Sequence, residues 1–342
     1  TEHCEGCGLY IANSNTTIIR SNITSGRASN YNPAIQLYGA RYAQIINNTI
    51  TTVNQSDVGS NFLRVYGIDL SNSAQFNNIS YNNINTWSSN NAYGSQDVSN
   101  EYNYYFYNNY NSHHSCLILK SSSNNIVYGN NLTCQGVGVY LVTATDTATD
   151  INVGNNISNN NITTDALYQN MGGIYLNWNV VNATIANNII NTIFTTSSIK
   201  AGIQIQRTNT SYSTYGINIL NNVISAIGSG NGIKISPGNM TGFTIQNNKI
   251  NTTGNSGIGL YMQNLTNSII SGNNITTSSY LAHDIYLLFS DNNIFLNDRL
   301  TELWATSSSP SHGLVLNNSN NNSFTNTRIT TQTGMNDTLL DG

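Results

Sequence analysis

The chain has 342 residues and a mass of 37.2 kDa, and only 8% of its residues are charged, against about 25% in an average soluble domain. Eleven Lys and Arg against fifteen Asp and Glu give a net charge of −4, too few cations for a nucleic-acid-binding patch. The same shortage argues against a helical protein, whose exposed faces are normally filled with Glu, Lys and Arg, and no run of 18 apolar residues is present to span a membrane as a helix.

The opening residues, Thr1-Glu2-His3-Cys4, carry neither an initiator Met nor a signal peptide and read as a mature, processed, extracellular chain. Cys4 and Cys7 stand in this first segment, residues 1–7. With Cys116 and Cys134 they fit two disulfides in an oxidising setting. Cys4 and Cys7 suit either a local bond or a covalent lock between subunits. From Gly8 a strand-like tetrad recurs: Gly8-Leu9-Tyr10-Ile11, Ala34-Ile35-Gln36-Leu37, Gly67-Ile68-Asp69-Leu70, then Cys116-Leu117-Ile118-Leu119 and Gly138-Val139-Tyr140-Leu141. It continues through Gly173, Gly202, Gly232, Gly257, Asp284 and Gly313, which makes eleven copies with apolar and variable residues alternating. Period-two alternation is the mark of a strand with one buried face.

About 12 to 15 residues after most tetrads comes an apolar residue, a pair of Asn and another apolar residue, as in Ile45-Ile46-Asn47-Asn48-Thr49-Ile50. The chain holds sixty-three Asn in all, about one residue in five. The element reads as two strands joined at a one-residue corner, because Asn tolerates the left-handed backbone that such a corner requires. Stacked in successive coils, the amides form a ladder, expected at Asn48, Asn131, Asn188, Asn222, Asn248 and Asn274.

A unit of about 25 residues buries little alone, so neighbouring units must stack. The fold predicted is all-β, a right-handed parallel β-helix of about eleven coils in a single domain, with an Asn-rich corner ladder. The widest gap between tetrads holds residues 87–115, read as a Tyr-rich insertion. Its Tyr93, Tyr102, Tyr104, Tyr105, Tyr107 and Tyr110 are candidates for subunit docking or for packing on their own coil. Cys116 and Cys134 lie 18 residues apart and are placed to close one coil. Residues 330–342 form a tail. Neither end carries a visible cap, which favours end-to-end stacking of copies. Of the seventeen Asn-x-Ser/Thr sequons, Asn15, Asn22, Asn131, Asn209 and Asn264 are candidate glycan carriers.

Catalytic and metal signals are sparse. The variable tetrad positions carry one carboxylate, Asp69, where glycoside hydrolysis needs a pair. Asp146 with Asp150, and Asp291 with Asp298, Arg299 and Glu302, read as a solvated turn and a surface ion network. His113-His114 reads as a loop. No cofactor is expected.

Gly-initiated tetrads followed by Asn-Asn-x-Ile, with hardly any charge, resemble the parallel β-helix repeat family that includes NosD-like and pectate-lyase-like proteins. Among these the chain is most similar to archaeal envelope proteins, the sheath proteins of methanogens in particular. The resemblance spans residues 8 to about 330. It implies a non-enzymatic cell-surface protein that partners with itself, building a sheath, hoop or filament. The alternative is a secreted carbohydrate-active or glycan-binding β-helix protein.

Overall fold

The computed structural model describes residues 7–12, 14–26, 31–54, 64–88, 91–143, 151–165, 172–194, 201–207, 214–303, 311–331 and 338–341. No helix occurs among them, so none is long and apolar enough to cross a membrane. Strands of successive coils pair in parallel into a first sheet of 13 strands and a second and third of 12 each. Five two-residue strands add a fourth strip between Asn152 and Thr266. The architecture is a right-handed parallel β-helix.

Each rung puts two inward residues on the first sheet, one on the second and two on the third. In one coil these are Ile203 and Ile205, then Ile219, then Ile224 and the small Ala226, all buried. The tetrad glycine has a steric cause. A Cβ at Gly173, Gly202 or Gly232, or at Gly259, which register puts in the tetrad's first place where the sequence reading puts Gly257, would lie 2.1–2.4 Å from Cγ2 of the third-sheet isoleucine in its own coil, Ile190, Ile224, Ile250 or Ile275. Glycine lets the first sheet close onto the third at that corner.

The two Asn of each pair do different work. Asn47, Asn187, Asn221 and Asn247 turn the corner with φ of 54–56°. The following Asn points inward and donates from Nδ2 to Oδ1 of the next coil at 3.0 Å, through Asn48, Asn82, Asn108, Asn130, Asn160, Asn188, Asn222, Asn248 and Asn273. Asp298 accepts the last of these bonds, at 2.9 Å. Asn131 and Asn274 are not ladder members. At those corners Gly129 (φ 67°) and Gly272 (φ 65°) take the left-handed position. The first Asn of the pair then enters the ladder, and the second faces solvent. A shorter row, Asn77, Asn103, Asn125 and Asn155, lines the preceding corner.

Two sequence expectations are corrected here. Residues 87–115 are not an insertion but an ordinary coil, with strands Asn91–Val98, Tyr104–Phe106 and Asn109–Ser112 in register with both neighbours. Its tetrad, Gly94-Ser95-Gln96-Asp97, turns Ser95 and Asp97 inward, and the volume they leave is filled by Tyr105 and Tyr110 from the other two sheets. The coil count rises accordingly, and a final first-sheet strand, Thr338–Asp341, lies inside the segment read as a tail.

Asp97 is fully buried and accepts from Asn100 Nδ2 (2.8 Å), Ser122 Oγ (2.9 Å), Tyr105 Oη (2.9 Å) and Asn103 Nδ2 (3.1 Å). Burial outweighs these four bonds and pushes its carboxyl up to about 6. Cys116 replaces the tetrad glycine in the next coil and is disulfide-bonded to Cys134 of the third sheet. Cys7 is also disulfide-bonded; Cys4 lies outside the described residues.

Candidate functional site

The outward positions of the third sheet build a groove. Register aligns Thr51, Asn85, Asn111, Thr133 and Thr163 on successive rungs. The strand Asn83–Ser88 carries Trp87 two residues further on, so Asn85 and Trp87 share one face. The backbone ladder continues past the strand ends, where His113, Gln135 and Asp165 donate from N to Thr86, Ser112 and Cys134. That continuation stacks Val53, Trp87, His113, Gln135 and Asp165 as a second row. Between the rows lies a groove of about 420 Å³. Trp87 is 47% exposed, and its ring lies 5.8 Å from that of His113. Cys134 lines the base, so the disulfide ties the floor to the first sheet.

The floor is short, uncharged and made of amides and hydroxyls, each able to donate and accept. The indole adds a flat apolar wall with an N–H at its edge. This combination suits a ligand that presents hydroxyls on its rim and a C–H face to the ring. Asp165 stands at one end of the wall, two rungs beyond His113, so among the described residues the groove offers no adjoining acid–base pair.

The outer face of the first sheet is different. Here Tyr140 and Tyr175 stack at 5.0 Å and Tyr261 and Tyr286 at 5.5 Å, with Gln204 and Lys234 on the two rungs between. Amides hold the phenols: Tyr175 donates to Gln206 Oε1 (2.9 Å) and Tyr261 to Gln263 Oε1 (3.3 Å). Burial raises the pKa of Tyr140, Tyr175 and Tyr261 and lowers that of Lys234 to about 8.

The remaining sequence candidates scatter. Tyr105 and Tyr110 are core residues rather than docking residues. Tyr102 and Tyr107 are exposed corner residues that stack on Phe76 (5.2 Å) and Tyr81 (5.3 Å). Tyr93 stacks on Tyr66 at 5.3 Å, and Tyr104 is half-buried. Asp291, Asp298 and Glu302 do not form a surface network. Asp298 ends the ladder, Glu302 is interior beside Thr277 and Asp284, and Asp291 accepts from Asn320 N. His114 is buried against Tyr93, on the other side of the backbone from His113. Asn15, Asn22 and Asn131 are exposed and Asn264 is half-buried. Asn209, Asp146 and Asp150 lie outside the described residues. Sequence reasoning missed the Trp87 groove, although alternating short polar residues in Asn-x-Thr and Asn-x-Asn triplets on the third strands were its signal.

The chain matches no protein-family model and no curated protein. Its fold is shared with solved structures at low identity. A crystal structure of the Dettilon tailspike protein gives a TM-score of 0.53 at 12% identity, over 95% of this chain and 60% of the tailspike. A single-site mutant of the periplasmic alginate epimerase AlgG gives 0.57 at 11% identity, over 90% of this chain and 77% of the epimerase. The surface protein and adhesin PfbA of Streptococcus pneumoniae gives 0.52 at 10% identity, over 95% and 91%. This chain therefore spans three-fifths of the tailspike's length. The sequence-based expectation of a non-enzyme is corrected, since an epimerase is built on the same scaffold. The likeness is one of fold.

Proposed function

We propose that the protein acts at a cell surface or outside the cell, and that its third-sheet groove holds a neutral glycan chain along the solenoid. One observation carries this reading. Trp87, nearly half exposed, stands as a wall over an uncharged floor of Asn85, Asn111, Thr133 and Thr163. A tryptophan left this open on a sheet face costs hydrophobic stabilisation unless a ligand covers it. A surface adhesin and a tailspike on the same fold are in keeping with this setting. The test is calorimetric titration with neutral glucan and mannan hexasaccharides. Trp87→Ala is expected to weaken binding about tenfold, the worth of an aromatic platform, with Trp87→Phe intermediate. Failure of every neutral glycan to bind the wild-type chain would remove the reading.

A second reading is self-assembly of copies end to end into a sheath, hoop or filament. It is favoured by the scarcity of charge, 8% of residues, and by the corner amide repeated from coil to coil, both of which suit close packing of like copies.

A further inference from the structure

Among the described outward residues from Tyr140 to Tyr286 on this face, Lys234 is the one charged side chain. Its strand, Asn231–Ile235, sits between strands that place Gln204 on one side of it and Tyr261 on the other. Neither neighbour carries a charge. The amine lies 5.8 Å from the centroid of the Tyr261 ring and opens into a cavity of about 530 Å³ that Ser229, Asn255 and Ser256 also line. Among the described residues no carboxylate lines that cavity. Asn231 borders it too, and its Oδ1 already accepts from Ile258 N at 2.9 Å, which leaves its NH₂ as the group it can offer. The cavity thus gathers one cation, hydroxyls and amide donors without an anion.

We infer that this cavity is a binding site for a single oxyanion, held by the Lys234 ammonium and by donors from Ser229, Ser256 and Asn231. The anion is a carboxylate or sulfate, either free or borne on a sugar. A half-buried lysine in a cavity lined without a carboxylate loses its proton more readily, which is why its pKa falls to about 8. An anion in the cavity reverses that cost, and the two effects are thermodynamically linked. Binding must raise the pKa of Lys234, and affinity must fall as pH rises through 8.

The experiment uses the whole chain. Wild-type protein, Lys234→Met and Lys234→Arg are titrated calorimetrically with sodium sulfate and with galacturonate, at constant ionic strength in chloride. The Lys234 ammonium is followed by NMR through its Cε resonance. The wild type is expected to bind saturably, with the Lys234 pKa moving from about 8 toward the ordinary lysine value of about 10.4. Lys234→Met should lose at least tenfold in affinity, and Lys234→Arg should keep most of it. Preference for galacturonate identifies a sugar-borne carboxylate, and equal binding identifies a free anion; both support the site. No saturable binding of either anion, or unchanged binding by Lys234→Met with an unchanged melting temperature, overturns it. Since Trp87 is on another sheet, Trp87→Ala should leave this binding intact, so the groove and the cavity stand or fall separately.

Discussion

At the scale of single residues, the polar interior makes the sharpest claims. Asn222 donates to Ile185 O (2.9 Å) and Asn248 Oδ1 (3.0 Å), and accepts from Asn188 N and Nδ2 (3.0 Å each). Asn222→Ala strands several buried partners and should cost about 3 kcal/mol. Asn274→Ala, on the solvent face, should change stability by less than about 0.5 kcal/mol. Thermal denaturation of the two variants side by side separates ladder from surface. Asp97 makes the second claim. Its folded pKa, about 6, lies above the ordinary value of 3.8, so the stability it contributes is complete below about pH 3.8 and is lost as pH rises through 6. The melting temperature should therefore fall between about pH 4 and 6 and level off above that. A shift of about two units is worth roughly 3 kcal/mol. Asp97→Asn, which keeps shape but not charge, should flatten that slope. The sequence displayed the Asn pairs plainly. Which member of a pair enters the interior was harder to read, because a glycine at the corner moves the inward position by one, and in a strand one step exchanges the faces.

Among elements, legibility followed chemistry. The eleven tetrads begin with Gly, Ala, Cys or Asp and continue with aliphatic residues at alternate positions, and those coils were readable, though the tetrad set at Gly257 begins at Gly259. Coil 91–112 was not, because its tetrad is Gly-Ser-Gln-Asp and its apolar mass sits in Tyr105 and Tyr110. A swap of small polar for large aromatic across a core preserves volume while erasing alternation. The Trp87 groove went unread for a related reason, although its polar triplets stand in the sequence. Its floor comes from five coils up to 112 positions apart in sequence, Thr51 to Thr163, which only register brings together. The disulfide bridges the corner that glycine closes in other coils: Cys116 occupies the glycine position and Cys134 the inward threonine row.

For the molecule as a whole, the reading of end-to-end assembly separates from that of a lone solenoid by electron microscopy with and without thiol reductant. Cys116–Cys134 lies within one chain and Cys7 is already bonded, so filaments, if they form, should survive reduction while their melting temperature drops. Loss of that crosslink is worth about 3 kcal/mol in the chain-entropy model. Discrete rods in both conditions would end the assembly reading.

The corner ladder has a consequence for how such a molecule changes its size. Along the ladder each coil presents the same kind of corner amide to the coil above and below, and from Asn188 to Asn273 much the same aliphatic inward set, so such a coil is an interchangeable increment. The last ladder steps, Asn248 to Asn273 to Asp298, are each 25 residues. Gene duplication or loss of one such unit inserts or removes one rung, about 4.8 Å of length, without disturbing the cross-section. Any linear partner lying along the side of the rod would then be measured in whole rungs, and the length of the protein becomes a ruler that evolution can reset one graduation at a time.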